Sequence, residues 1–355
     1  MAAVDGSILE QWRTRILAAA AARTPLRLRG AGTKDFYGER LAGDLLELHA
    51  WRGVVSYEPS ELVITARCGT PLSQIESELA ACGQFLGFEP PGFGADPTLG
   101  GVIAAGLSGP RRPYAGAARD YVLGARLLTA GGEALRFGGE VIKNVAGFDV
   151  SRLLCGSLGV LGVITEVSLK VLPRPRLEET VRLELTAPAA VASFNRWAAL
   201  PLPLSGAAWW QGAAMVRLSG APAAVRAARA HIGGESVATA AAHEWWQALR
   251  HCRLPPFSGT VLWRLSVPPA ADPLPLPGQP LIDWGGALRW YADVPAGVAV
   301  RDFAVAAGGT ALCWRGAAAP RFHPLSSAVA RLHQRLKERF DPHGIFNPGR
   351  LVAGL

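Results

Sequence analysis

Apolar residues recur along the chain at two spacings, and each spacing assigns its elements. Residues 8–22 are rich in Ala, with Leu and Ile at helical intervals, and predict an opening helix. Leu26-Arg27-Leu28-Arg29 alternates strictly and predicts a strand that runs straight into Gly30-Ala31-Gly32-Thr33-Lys34. A second strand, 62–66, is followed by Gly69-Thr70-Pro71-Leu72. That string predicts a helix to residue 79, with Thr70 as N-cap and Pro71 at the first helical position. Residues 121–129, a glycine turn at 130–133 and residues 134–137 read as a hairpin, and 165–172 as a further strand. Pro173-Arg174-Pro175-Arg176 then predicts a stiff linker, since proline continues neither helix nor sheet.

Beyond the linker the pattern changes. Stretches 180–185, 213–218 and 261–267 alternate as in an antiparallel sheet, while 222–232 and 243–250 have helical spacing. Most of the tryptophans lie here (Trp197, Trp209, Trp210, Trp245, Trp246, Trp263, Trp284, Trp290, Trp314). They suit core packing or a protein interface better than a substrate wall. A last helix, 325–340, precedes Asp341-Pro342-His343-Gly344-Ile345-Phe346-Asn347-Pro348-Gly349-Arg350. The division predicts two domains, and no repeat at a solenoid period is visible.

Two segments of the first half fit neither spacing. Residues 89–109 and 143–164 are long, poor in charge and full of Gly, Ala and other small residues. Side chains this small fill a core badly, but they let a flat ligand approach the backbone closely.

Composition narrows the partners. The net charge of +8 comes mainly from Arg, with Lys only at 34, 143, 170 and 337. Diffuse Arg suits an anionic cofactor, an acidic substrate, a partner subunit or a membrane face. No dense basic run with interleaved aromatics points to nucleic acid. Five cysteines (Cys68, Cys82, Cys155, Cys252, Cys313) contain no C-x-x-C pair, which argues against zinc and iron–sulfur sites and predicts buried free thiols in a reducing compartment. No basic and apolar leader opens the sequence, and no stretch approaches the ~18–20 apolar residues of a membrane helix. A cytoplasmic location, or a peripheral one on the inner face of a membrane, is expected.

The glycine-rich turns carry the candidate chemistry. Backbone N–H groups in such a turn converge on an anion and form a nest. Gly30-Ala31-Gly32-Thr33 fits this use, with the Thr33 hydroxyl as an extra donor. A plain strand-end turn, or tight helix–sheet packing, gives the same residues without a ligand. The turn lacks G-x-G-x-x-G opening a helix, so it is not a Rossmann fingerprint, and no P-loop string occurs. Three small-residue segments, 29–34, 90–109 and 147–164, each abut a predicted strand. One nest and two flat surfaces suit a long ligand with a pyrophosphate waist and planar ends.

At these segments the sequence resembles the FAD-binding family of the vanillyl-alcohol oxidase and D-lactate dehydrogenase type. Arg29-Gly30-Ala31-Gly32-Thr33-Lys34 matches its pyrophosphate loop. Pro97-Thr98-Leu99-Gly100-Gly101-Val102-Ile103-Ala104-Ala105-Gly106-Leu107-Ser108-Gly109 matches its P-T-x-G-G segment. Arg119-Asp120-Tyr121-Val122-Leu123-Gly124, Gly156-Ser157-Leu158-Gly159-Val160-Leu161-Gly162-Val163-Ile164-Thr165-Glu166 and the tail from Asp341 to Gly349 match three more of its strings. Residues 106–113, 143–149 and 170–176 are more closely similar to the FAD-binding subunits of bacterial glycolate oxidases.

The resemblance implies an α+β fold: a two-subdomain FAD-binding domain of the vanillyl-alcohol oxidase type over residues 1–174, an α+β cap domain over 175–324, and a helix and tail, 325–355, returning to the FAD domain. It implies that Arg29, Gly30, Ala31, Gly32, Thr33 and Lys34 hold the pyrophosphate. Pro91, Thr98, Gly100, Gly101, Ala104, Ala105, Gly106 and Asp120 would line the cofactor, with Gly159, Gly162 and Ile164 against its adenosine half. Asn347, followed by Pro348, would return to the flavin side. The seven His (49, 231, 243, 251, 323, 333, 343) all miss the first two loops and Cys82 lies ahead of the second, so non-covalent FAD is expected. The metal-binding H-x-x-x-x-H pair and the H-G-D-G-N string of the D-2-hydroxy-acid dehydrogenases are absent from the sequence, so no metal is expected and the catalytic residues stay unassigned. The implied function is electron transfer from glycolate or another 2-hydroxy acid through flavin, in a complex with a sibling flavoprotein subunit and an iron–sulfur subunit. Two alternatives stand beside it: a stand-alone FAD-dependent oxidase of another alcohol or sugar, and an assembly subunit with no chemistry of its own. Arg111-Arg112 beside Tyr114 reads as a solvated loop or subunit contact before it reads as a carboxylate site.

Overall fold

The computed structural model describes residues 2–94, 96–139, 149–352 and 354–355, with the backbone alone for residues 2–5. In chain order the first half contains helix α1 (Ala2–Ala22), strands β1 (Leu26–Arg29), β2 (Asp44–Glu47), β3 (Val54–Glu58) and β4 (Val63–Arg67), helix α2 (Leu72–Ala81) and strand β5 (Gln84–Phe85). Helices α3 (Leu99–Ala105) and α4 (Arg112–Ala115), strands β6 (Val122–Leu128) and β7 (Ala134–Gly138), helix α5 (Val150–Leu153), and strands β8 (Val163–Lys170) and β9 (Leu172–Pro173) follow. The six-residue string 143–148, which carries part of the glycolate oxidase resemblance, lies outside the described residues.

Among the described residues, β3, β4, β8, β6 and β7 form one antiparallel sheet in that spatial order. The central β8 is buried along nearly its whole length. Its polar residues are therefore matched internally: the hydroxyls of Ser168 and Thr65 lie 2.8 Å apart across the β4–β8 pair. Ile75 and Leu79 of α2 and Val102 and Ile103 of α3 pack on this sheet against Ile64, Leu127 and Val167. β1 and β2 form a separate parallel pair, and Leu26 bridges in parallel to Phe346 from the tail. Trp12 and Ile16 of α1 close the core around Leu26, Ile345 and Phe346.

The second half contains β10 (Leu177–Glu184), α6 (Ala187–Ala198), β11 (Leu204–Trp210), β12 (Ala213–Gly220), α7 (Pro222–Ile232), β13 (Glu235–Val237) and α8 (Thr239–Arg250). Then come β14 (Leu262–Ser266), β15 (Leu281–Asp283), β16 (Leu288–Ala292), α9 (Val300–Ala306), β17 (Thr310–Arg315) and α10 (Ser327–Phe340). The strands form an antiparallel sheet of order β13-β10-β12-β11-β15-β16-β14-β17. Alternation along β12 sorts its residues to two cores. Val216 faces Phe194, Trp197 and Val225 of α6 and α7. Met215 joins Trp246, Leu249, Trp290 and Trp314, together with Ala105 and Leu107 from the glycine-rich segment. The second core therefore welds the two halves together.

Three local expectations change. The helix after Thr70 begins at Leu72 with Pro71 as its cap, because the Thr70 hydroxyl is taken by the Gly53 backbone N–H at 2.8 Å. Pro173 pairs with Gln84 in the short β5–β9 ladder, an edge position where its missing N–H is tolerated. Of the free cysteines only Cys68 and Cys313 are buried, and Cys82 is exposed.

Candidate functional site

The chain leaves β1 at Arg29 and turns through the glycines with Gly32 at φ +74°. A Cβ on Gly30 would stand 2.1 Å from Thr98 Oγ1, so the turn lies directly against the start of α3. Thr98 caps that helix and accepts from the Gly101 N–H at 3.4 Å. The amides of Leu99 and Gly100 donate to the carbonyls of Thr70 and Cys68, at 2.9 and 2.8 Å, which fixes α3 to the end of β4. Gly159, at φ +74°, follows Leu158, whose amide donates to the Ala104 carbonyl of α3 at 2.8 Å; a Cβ on Gly159 would meet Asn347 Nδ2 at 2.8 Å.

The tail holds this arrangement together. Asn347 accepts from the Leu28 N–H at 2.8 Å and donates to the Leu158 carbonyl at 2.7 Å. Arg350 donates to the carbonyls of Lys34 at 3.2 Å and Asp35 at 2.9 Å, and also to those of Tyr37 and Glu39. The loop after the glycine turn is thus shaped by one guanidinium that arrives from the far end of the sequence.

Charge in the cleft is unbalanced. Asp35 faces Arg29 at 3.1 Å and Arg27 at 3.6 Å. The Nε atoms of both arginines are buried without a hydrogen bond. Lys34 has no carboxylate partner among the described residues; its ammonium meets the Thr33 hydroxyl at 3.4 Å and lies 5.7 Å from the Phe93 ring centre. Burial lowers its pKa to about 8. Arg27 and Arg29 thus share one carboxylate while Lys34 has none, beside a turn of glycine amides, which is a site for an anion.

Of the residues expected at the cofactor, Arg29, Gly30, Ala31, Gly32, Thr33, Lys34, Thr98, Gly100, Gly101, Ala104, Ala105, Gly159, Gly162, Ile164 and Asn347 line this one cleft. Three lie elsewhere. Pro91 lines a smaller cavity toward the second half. Gly106 ends α3 at φ +63°, where a Cβ would stand 2.9 Å from Gly156. Asp120 accepts from the Ala117 N–H at 2.8 Å in an exposed turn. The cleft also takes in Leu28, Asp35, Leu41, Leu48, Cys68, Leu158 and Arg350, which sequence reasoning missed. For Asp35 and Arg350 the opposite charges at the turn and the tail were a usable signal; the aliphatic positions carried none. Burial pushes the Cys68 thiol far up, so it stays protonated.

The seam between the two halves is charged, and here the reading of Arg111 as a solvated loop residue is overturned. Arg111 is 8% exposed. It pairs with Glu89 at 3.3 Å and Glu178 at 2.7 Å, and Glu89 also meets Arg217 at 2.9 Å. Burial alone would raise the Glu89 pKa, but the Arg217 and Arg111 charges hold it down at about 2. Among the described residues no cluster of His, Cys, Asp and Glu could hold a metal, and no helix is long and apolar enough to cross a membrane.

Comparison with known proteins adds the following. A family model described as FAD binding domain matches residues 9–138. The glycolate oxidase subunit GlcE of Escherichia coli (strain K12) is 48% identical over 94% of either chain. The glycolate oxidase subunit GlcD of Bacillus subtilis (strain 168) is 31% identical over 45% of this chain and 34% of its own. Among solved structures, an alkyldihydroxyacetonephosphate synthase superposes with a TM-score of 0.66 over 95% of this chain and 73% of its own, at 16% identity, which establishes the likeness of fold.

Proposed function

Because this chain belongs to the family of the glycolate oxidase subunit GlcE, we propose that it is the FAD-binding subunit of a complex that oxidises glycolate or a similar 2-hydroxy acid. The observation that carries the reading is the convergence of three separated small-residue segments on one cleft with excess positive charge. In a fold of the vanillyl-alcohol oxidase type, residues 1–174 form the FAD domain, 175–324 the cap and 325–355 the returning helix and tail.

When bound, FAD supplies two-electron redox chemistry that no side chain offers. The chain's own residues bind and orient it. The amides of Gly30 to Thr33, the Thr33 hydroxyl and the Lys34 ammonium would hold the pyrophosphate, and Arg29 would add charge beside them. The cleft measures about 110 Å³. At ~10–15 Å³ per water-sized group that is the scale of a pyrophosphate. Thr98, Gly100, Gly101, Ala104 and Ala105 would present a small-residue wall to it, continued by Gly159, Gly162 and Ile164. No histidine lines the cleft among the described residues, and its one thiol, Cys68, is protonated and buried. This supports non-covalent FAD.

The names of the GlcE and GlcD relatives, each a subunit, support a multi-subunit assembly. Within it we place a sibling flavoprotein subunit, an iron–sulfur subunit and attachment to the inner face of a membrane through the complex. A chain that keeps three glycine segments around a cationic cleft is better suited to carrying flavin than to assembly alone.

The test is an absorbance spectrum of the purified chain before and after acid denaturation, followed by anaerobic addition of glycolate. Flavin bands near ~375 and ~450 nm that leave with the supernatant are expected. A colourless chain that takes up no added FAD sinks the reading. Bleaching by glycolate without partner subunits would make the chain a catalyst by itself.

A further inference from the structure

The eight-stranded sheet has one face toward the glycine-rich segment and one away from it. On the far face α6 and α7 pack over β10, β11 and β12, and α9 packs over β14 and β17. Between these helices the sheet is covered by residues 268–280, a string with six prolines (268, 269, 273, 275, 277 and 280). Proline continues neither helix nor sheet, so this cover spans the gap without packing down into it. Leu274 and Leu276 plug one side. A cavity of about 460 Å³ remains between the cover, α6 and the sheet.

Alternation puts Ile282 of β15 and Arg289 and Tyr291 of β16 on the cavity floor. Leu281, Leu288 and Trp290 face the opposite core, with Ala105 and Leu107. The walls are small and apolar, chiefly Pro188, Val191 and Ala192 of α6. Asn195 spends its amide N–H groups on the Val191 and Pro269 carbonyls, at 2.8 and 3.2 Å. The floor, by contrast, has donors to spare. Tyr291 is 2% exposed, and its hydroxyl has no hydrogen-bond partner among the described residues. Burial raises its pKa, so it stays protonated and able to donate. Arg289, also 2% exposed, donates to the carbonyls of Gly286 at 3.3 Å, Asp272 at 2.6 Å and Ala271. A guanidinium has five N–H donors, so these three bonds do not exhaust it. Its charge is answered at longer range by the carboxylate of Asp272, the one acid among the described residues that lines the cavity. Unspent donors, balanced charge and apolar walls therefore meet in one place.

We propose that this cavity binds an uncharged, largely apolar molecule through an acceptor oxygen held by the Tyr291 hydroxyl and the remaining Arg289 N–H groups. Its volume falls among those of small-molecule sites, ~300–1,000 Å³. At a water's ~30 Å³ share of liquid volume it takes about 15 non-hydrogen atoms, the size of a substituted aromatic ketone. The site lies across the sheet from the glycine cleft and does not depend on what that cleft holds.

The test uses the full purified chain with FAD in excess, which keeps aromatic probes out of the glycine cleft. Butyrophenone, butylbenzene and 4-phenylbutyrate share a phenyl ring and a four-carbon chain, and carry a ketone, no oxygen and a carboxylate respectively. Each is titrated by saturation-transfer NMR. Butyrophenone is expected to bind about tenfold more tightly than butylbenzene, the return on one or two hydrogen bonds, and more tightly than the acid. Tyr291→Phe deletes only the hydroxyl. It is expected to remove most of that preference and to leave butylbenzene within twofold. Ala192→Trp, at an exposed position of α6 on the cavity wall, is expected to block both probes. Equal binding of ketone and hydrocarbon overturns the proposal, as does a preference that survives Tyr291→Phe. Tighter binding of the acid makes this an anion site and overturns the uncharged class. Binding that survives Ala192→Trp lies elsewhere on the chain, and no binding by any probe removes the site. Should one variant fail to fold, the other decides. If the chain takes up no FAD, the flavin reading falls alone, because loss of binding in Ala192→Trp still assigns the probes to this cavity.

Discussion

Gly30 has no room for a side chain. Its missing Cβ would meet Thr98 Oγ1 at 2.1 Å, and that oxygen is committed to the cap of α3. Gly30→Ala is therefore expected to cost the cap, about 1 kcal/mol of stability, and to weaken FAD more than tenfold. Thermal unfolding and flavin fluorescence titration measure the two separately. Lys34 adds a pH signature. Its pKa of about 8 against the ordinary 10.5 means that the apo chain must take up a proton to present the ammonium to a phosphate above pH 8. FAD affinity should fall as pH rises from about 8 toward 10.5, by up to tenfold per unit, and Lys34→Met should flatten the profile. Apo stability should move the other way. In that window the unfolded chain binds the proton that the folded one has lost, so the fold gains as pH rises. At this scale the sequence is legible where geometry forbids a side chain. Gly30, Gly32 and Gly159 leave a mark in composition because only glycine fits. Leu41 and Leu48 leave none, since any aliphatic residue of similar volume would serve. Gly106 and Asp120 lie outside the cleft, where their motif positions serve a helix end and a turn.

Among the elements, α10 and the tail behave as one clamp. Lys337 is 4% exposed, yet its ammonium is fully matched: 2.6 Å from the Asp341 carboxylate, 2.8 Å from the Val160 carbonyl and 2.7 Å from that of Phe346. Asp341 in turn accepts from the Ile345 and Phe346 amides at 3.1 and 2.7 Å. Lys337→Met removes one partner of a buried pair and is expected to cost about 3–5 kcal/mol, read from the midpoint of urea unfolding. Replacing both partners by apolar residues should cost less than the single change does. The strands and helices themselves are largely readable from periodicity, since α7 and the β6–β7 hairpin follow the predicted spacing and turn. What periodicity could not supply is contact between distant elements. The short β5–β9 ladder joins residues 84–85 to residues 172–173 and turns the start of an apparent proline linker into a paired edge.

At the scale of the molecule, the two halves meet through a mixed apolar and ionic seam, and the ionic part predicts how they come apart. Glu89 carries a folded pKa of about 2 against an ordinary 4.5. Its contribution is complete above pH 4.5 and is lost as pH falls toward 2, because the unfolded chain then binds the proton first. Acid should therefore loosen the seam before either core. Glu89→Gln should destabilise the chain at pH 7 and remove the acid dependence, visible as separate unfolding transitions by calorimetry. The resemblance of the first half and the tail foretold the cofactor fold, while the seam stayed hidden because its partners, Glu89 with Arg217 and Arg111 with Glu178, are ordinary surface-type residues until the chain folds. One more consequence lies in the order of synthesis. β1 is completed only by the tail: the Leu26 amide donates to the Ile345 carbonyl, the Asn347 amide to the Leu26 carbonyl, and the Leu28 amide to the Asn347 side chain, 319 positions away. A ribosome moving at ~5–20 residues per second makes residue 347 roughly 15 to 60 s after residue 28, so the nucleotide cradle remains unfinished on the nascent chain until the segment around Asn347 has been made and has paired with β1.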